Sequence, residues 1–285
     1  MTAMSMFGGI PLVVSVNVDI EVLDAERAGE AGLFGRYSYG RYGSREGFWR
    51  LAEVLRTASI KATFFVDPAD ALRNPDVVET IAQEGHEIAL YGRAMSTLGG
   101  YTEAMGIAIA EGREKLAKLT GVTPTGWRSM NGMVSRETLL DLARMGFTYE
   151  SSALDDDWPY LMTQGELRLV QLPVAEYLRD STFFAGHHTH ERVRKAWKEE
   201  LDAIVADDGY IHLVLHTRGD HGSGRADRAR IVAEFIDRAL RLPGVIPMRC
   251  GDVAAVCMAK AKGETFLGEL SKPNADPKPL AALPI

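Results

Sequence analysis

The 285-residue chain predicts an α/β fold with a mainly parallel sheet, either closed into a barrel or doubly wound. Three observations predict it. Short β-rich apolar runs alternate with amphipathic helical stretches almost without interruption. Helix start signals fall between those runs, as strand–helix units require. Length and composition (46% hydrophobic, 25% charged) suit one soluble domain with a sizeable core.

The first run, residues 12–18, follows an N-terminus without a basic start and ends in Asp19 and Glu21. It reads as a core strand rather than a signal peptide. Further strands are expected at 62–66, 86–91, 125–129, 148–152, 167–172, 211–216 and 245–249. Between them Phe48, Leu51, Ala52 and Leu55 follow helical spacing, as do Ile231, Phe235, Ile236 and Leu240. Asn74 before Pro75, Thr102 before Glu103, and Ser135 before Leu139 mark helix starts. Asp67, preceding Pro68, reads as a helix cap. Residues 21–44 have no clear period but hold Phe34, Arg36, Tyr37, Tyr39, Arg41 and Tyr42, a candidate lid or subunit contact. The domain is expected to span 1–260, with 261–285 an extended arm bearing KPNADPKPL.

A net charge of -7 with no basic cluster argues against nucleic acid as partner. No stretch reaches the roughly 20 apolar residues that span a bilayer. Cys250 and Cys257 are too few for a disulfide framework, so a cytosolic location is expected.

In such folds function collects where strands end. Asp19, Glu21, Asp67, Tyr91, Arg128, Ser152, His216 and Arg218 all fall at that edge. His187, His188 and His190 form a separate cluster that reads as a surface or substrate-shaping segment, with zinc binding the alternative. His86 reads as structural. His221 and Arg225 sit on a Gly-rich loop that either recognises a carbonyl or carboxylate or turns the chain.

The motifs resemble those of polysaccharide deacetylases. VSVNVDIE is similar to the first motif, with Asp19 at the base position and Glu21 where a metal-binding aspartate is usual. LTGVTPTGWRSMNG resembles the arginine-bearing motif, through Arg128, and HLVLHTR the last, through His216. The resemblance runs from about residue 12 to 258 and implies an irregular (β/α) barrel with a seven-stranded parallel sheet. In GHEIALYGRAM, Tyr91 and Met95 stand where the family carries two metal-binding histidines, so no metal or other cofactor is expected. YSYGRYGSREGFWRLAEVL and YESSALDDDWPY resemble the subgroup of metal-independent allantoinases and cyclic imide hydrolases. The resemblance implies a hydrolase of small cyclic amides. Allantoinases of this kind keep a histidine at the Tyr91 position, which shifts the expected substrate toward imides or related rings.

On this resemblance Asp19 would take a proton from water, and Arg128 would pair with Asp19. His216 would protonate the leaving nitrogen or steady the tetrahedral intermediate, and Glu21 would be a second base or hold Asp19 in place through a shared proton. Tyr91, Asp157, Trp158, Tyr42 and Arg218 are the expected substrate-binding residues. The residues alone also allow Asp19–Arg128 to be a structural ion pair and His216 a satisfied core histidine. A metal-dependent deacetylase and a non-catalytic binding protein are the competing readings. A homo-oligomer is expected, with contacts through the first loop and the arm.

Overall fold

The computed structural model describes residues 3–92, 102–260 and 264–265. After a short helix, Ala3–Phe7, the strands run β1 (Ile10–Val18), β2 (Thr63–Val66), β3 (Glu87–Gly92), β4 (Gly126–Ser129), β5 (Tyr149–Glu150), β6 (Tyr160–Gln164), β7 (Leu167–Gln171), β8 (Ile211–His216), β9 (Val245–Met248) and β10 (Glu264–Thr265). They form one curled sheet in the order β10-β6-β7-β5-β4-β3-β2-β1-β8, with β9 also paired to β1. Every pairing is parallel except β6 with β7. A single bridge, Arg179 to Val214, joins β8 to the segment that follows β7. The expected α/β barrel type is the one adopted.

Strand periodicity separates two apolar layers. Leu12, Val14, Val16 and Val18 of β1, with Leu213 and Leu215 of β8, pack outward beneath the helices. Phe48, Leu51, Ala52 and Leu55 bury one face of helix Phe48–Thr57, and Ile231, Phe235 and Ile236 do so on Ala226–Arg241. The inner layer holds Val13, Phe65, Ala89 and Tyr91, closed at the strands' starting end by Cys250, Val253, Ala254 and Cys257 of helix Cys250–Lys260. The same alternation turns Ser15, Asn17 and, just past the strand, Asp19 inward, all buried. It does likewise for Tyr91, Arg128, His212 and His216. The sheet interior is therefore apolar at one end and polar at the other, where the chain leaves its strands.

The expected strands all form, and the caps act as anticipated: Asp67 accepts the Ala69 N–H at 2.7 Å and Ser135 the Thr138 N–H at 3.1 Å. Strand β6 is an addition, a hairpin partner for β7. Residues 21–44 correct the reading of an unstructured loop. They contain helices Val22–Ala28 and Tyr39–Tyr42 with two 3-10 turns, followed by a π turn at Gly43–Gly47. The glycines of this stretch permit close approach: a Cβ at Gly40 or Gly47 would fall on the Ile20 or Thr217 carbonyl oxygen. Met95 and nearly all of the expected C-terminal arm lie outside the described residues. Among the described residues no helix is long and apolar enough to cross a membrane.

Candidate active site

Asp19, Tyr91, Arg128 and His216 line one cleft of about 470 Å3 at the polar end of the sheet, together with Asn17 and His221. The volume suits a small molecule. Backbone on both sides fixes the centre. The Asp70 carboxylate accepts the N–H groups of Ile20, Glu21 and Val22 at 3.0–3.1 Å, pinning the chain just beyond Asp19.

Asp19 has its Oδ2 3.9 Å from Nε2 of both His216 and His221. Its Oδ1 is buried and has no hydrogen-bond partner among the described residues. Burial would raise the Asp19 carboxyl, but His221, His216 and Arg218 outweigh it and hold the group below the usual carboxylate range. A buried, ionised carboxylate with one uncommitted oxygen can accept a proton from a molecule in the cleft. Burial and the Asp19 charge push the Tyr91 phenol well above its ordinary range, so it keeps its proton beside that carboxylate.

Arg128 does not pair with Asp19, contrary to the expectation. Its Nε donates to the Ser151 carbonyl at 2.7 Å, and Nη1 donates to Ser15 Oγ at 3.0 Å and Asn17 Oδ1 at 2.9 Å. Nη2 donates to Ser151 Oγ at 2.9 Å and meets His212 Nε2 at 3.3 Å. These contacts use all five guanidinium N–H groups on neutral partners, and the cation sits 3.9 Å over the Phe65 ring. Arg128 therefore orients the amide of Asn17. With Oδ1 taken by Arg128, Asn17 turns its Nδ2 toward His216 Nε2 at 2.9 Å. The other His216 nitrogen, Nδ1, donates to Asp180 Oδ1 at 2.6 Å.

Asp180 is a residue that sequence reasoning missed. It is fully buried, and its Oδ2 also accepts the backbone N–H of His216 at 2.9 Å and of Ser223 at 2.8 Å. It lies on a short helix, Asp180–Phe184, without periodicity to mark it. Ser15, Asn17 and His212 were also missed, although they share the inward phase of Asp19 and His216. His212 is deep in the sheet. Burial first, then the Arg128 charge, lowers it to about 3. The folded chain thus binds fewer protons there than the unfolded chain between about pH 3 and 6.5. That contribution to stability is present above about pH 6.5 and is lost as pH falls toward 3. Urea midpoints measured between pH 7 and 4 are expected to fall less steeply for His212→Gln than for the parent.

Five other expected site residues lie elsewhere. Glu21 precedes helix Val22–Ala28 and its carboxylate pairs with Arg41 at 2.9 Å and Arg73 at 4.0 Å, so it neither serves as a second base nor shares a proton with Asp19. Arg218 is buried in ion pairs with Asp24 and Asp220, both at 2.9 Å. Tyr42 donates to the Gly224 carbonyl and stacks under Arg225, supporting the loop after β8 from outside the cleft. Asp157 and Trp158 line a separate, larger cavity of about 930 Å3. Their removal from Asp19 follows from the turn before β6, where Asp155 holds Tyr160 and Asp156 caps Trp158. His187 and His188 precede helix His190–Ala206 and His190 begins it: Thr189 caps the helix, and His188 and His190 pack edgewise on Phe183 and Phe184. His86 is structural as expected, with Nδ1 accepting the Ala62 N–H.

The metal-type donors that converge among the described residues are Asp19, His216 and His221, within 4.8 Å of one another. They do not fit the metal that the motif pattern would carry. Both ring nitrogens of His216 are committed, to Asp180 and Asn17. Glu21, at the usual aspartate position, turns to arginines, and Tyr91 presents a protonated phenol.

Comparison with known proteins gives a consistent set. The polysaccharide deacetylase family profile matches residues 39–150. A candidate polysaccharide deacetylase from Mycobacterium smegmatis superposes with a TM-score of 0.81 at 30% identity, covering 90% of this chain and 93% of that one. Puue allantoinase superposes with a TM-score of 0.76 at 22% identity over 91% and 94% of the two chains, a likeness of fold. Peptidoglycan deacetylase-like protein FGM2 of Gibberella zeae is 25% identical over 224 residues, 63% of this chain. The chain spans 66% of that relative's length, just under two thirds.

Proposed function

The chain belongs to the polysaccharide deacetylase superfamily, and we propose that it is a hydrolase of C–N bonds that opens a small cyclic imide or ureide without a metal. Water adds to a ring carbonyl, the ring C–N bond breaks, and a half-amide or ureido acid leaves. One observation carries the reading: the cleft keeps an ionised base, Asp19, while the family's metal positions hold a protonated phenol at Tyr91 and an arginine-bound carboxylate at Glu21.

Leaving-group chemistry supports it. A hydrolytic metal polarises a carbonyl and lowers the pKa of water, help that an unactivated amide needs because its nitrogen departs as a strong base. An imide nitrogen lies between two carbonyls, so its anion is delocalised and departs readily. A carboxylate base and hydrogen-bond donors around the forming oxyanion then suffice. Tyr91 is one such donor, its hydroxyl lining the cleft beside Asp19.

A panel of succinimide, dihydrouracil, hydantoin, allantoin and acetylated amino sugars tests this assignment. Ring opening with no release of acetate is the expected result. Acetate release from the sugars with every ring left intact would overturn it.

A further inference from the structure

The last motif directs attention to His216, but a second imidazole shares the same carboxylate oxygen. His216 and His221 meet edge to face, with ring centroids 5.2 Å apart, and each places Nε2 3.9 Å from Asp19 Oδ2. Their other contacts differ. His216 donates from Nδ1 to Asp180 and receives the Asn17 amide at Nε2, so it has no proton facing the cleft. His221 lies between two carboxylates, with Asp220 Oδ1 3.2 Å from its Nδ1 and Asp19 beyond its Nε2. Burial disfavours charge on His221, but Asp19 and Asp220 outweigh it and raise the group to about 9. The other ionisable groups around this pair are Arg218, which holds Asp220 from below, and Tyr91 beside Asp19.

The loop is built to hold that ring still. Arg228 Nη1 donates to the carbonyls on either side of His221, those of Asp220 at 2.7 Å and Gly222 at 2.9 Å. Arg218 binds Asp220 through two nitrogens. Ser223 N–H donates to both the His216 carbonyl and Asp180. A loop pinned at each residue around one cleft-lining imidazole places that imidazole for a task.

We propose that His221, and not His216, donates the proton to the departing ring nitrogen, an assignment that rests on the ring-opening reading. The protons balance within the pair. Asp19 takes one proton from the attacking water as its oxygen bonds to the ring carbonyl carbon. The C–N bond breaks with its electron pair passing to nitrogen, which takes the Nε2 proton of His221. Asp19 is then a carboxylic acid beside a neutral imidazole, and passage of its proton to His221 restores both. The new carboxylic acid of the product releases its own proton to solvent. His216, with Asp180, Asn17 and Arg128, is a positioning residue that frames the carboxylate.

The test compares His221→Gln with His216→Gln on rings graded by the acidity of the leaving nitrogen. For His221→Gln the loss in kcat is expected to be roughly 10²- to 10⁴-fold on a ureide and at least about tenfold smaller on the most acidic imide. The parent's kcat/KM is expected to fall above about pH 9, with that limb absent in the variant. Equal losses across the series, or a graded loss in His216→Gln instead, would overturn the assignment. Nitrogen NMR of the labelled protein provides a readout independent of turnover. At pH 7.5 His221 is expected to carry protons on both nitrogens and His216 on Nδ1 alone; the reverse pattern defeats the proposal even if no ring is opened. Failure of every ring to react, with the expected NMR pattern, would instead count against the substrate reading alone.

Discussion

Asp19→Asn is expected to lower kcat on every ring substrate by roughly 10²- to 10⁴-fold, the range for loss of a general base. The substitution keeps size but removes the carboxylate's charge and its ability to take a proton, including at Oδ1, which has no hydrogen-bond partner among the described residues. KM should change little, because Asp19 acts on water rather than on the ring. The variant also removes one of the two carboxylates that keep His221 charged, so the His221 titration should move down from about 9. Steady-state kinetics and an NMR titration of the same preparation check both effects. A variant retaining a tenth or more of the parent's kcat would remove Asp19 from the base role.

Asp180→Ala should produce the largest loss of stability among the site variants. The carboxylate is fully buried and receives His216 Nδ1 at 2.6 Å, the His216 N–H at 2.9 Å and the Ser223 N–H at 2.8 Å. Truncation strands all three donors away from water. Leaving a buried donor unsatisfied costs about 1–3 kcal/mol, so stranding three costs at least about 3 kcal/mol. For a domain of this size that corresponds to a drop in Tm of roughly 10 °C. Activity should fall as well, since the strand end bearing His216 and the loop bearing His221 are joined through this carboxylate. Asp180→Asn preserves volume and one oxygen that can accept the two backbone N–H groups, so it should recover part of the stability. A Tm within 2 °C of the parent for the alanine variant, by calorimetry, would contradict this account of the site's scaffold.

Much of the fold was legible because its determinants are local. Short β-rich apolar runs marked the parallel strands, and helical spacing marked helices such as Phe48–Thr57. Strand β6 escaped because YLMTQ follows Pro159 and ends in polar residues; its hairpin with β7 is what makes it a strand. The site was less legible. Asp19, Tyr91, Arg128 and His216 could be placed at one edge, and they do share a cleft. Their pairings could not be read, because contacts across a curled sheet depend on rotamers and depth. Arg128 reaches past Asp19 to Ser15, Asn17 and Ser151. Glu21 looked like a neighbour of Asp19, yet β1 ends at Val18 and Glu21 already stands at the start of the next helix, its carboxylate on Arg41. Asp180 carries no periodic signal, and its role depends wholly on being brought beneath His216. The inward phase of Ser15 and Asn17 with Asp19, and of His212 with His216, was present in the chain but meaningful only once the polar interior was seen.

The most direct test of the central claim is the rate of imide opening by protein exhaustively treated with a strong chelator, with metal content measured on the same sample. The account predicts that metal-free protein retains the parent's kcat on succinimide or a related ring, and that Asp19→Asn in the same state does not. Loss of ring opening on metal removal, restored by adding zinc back, would contradict it.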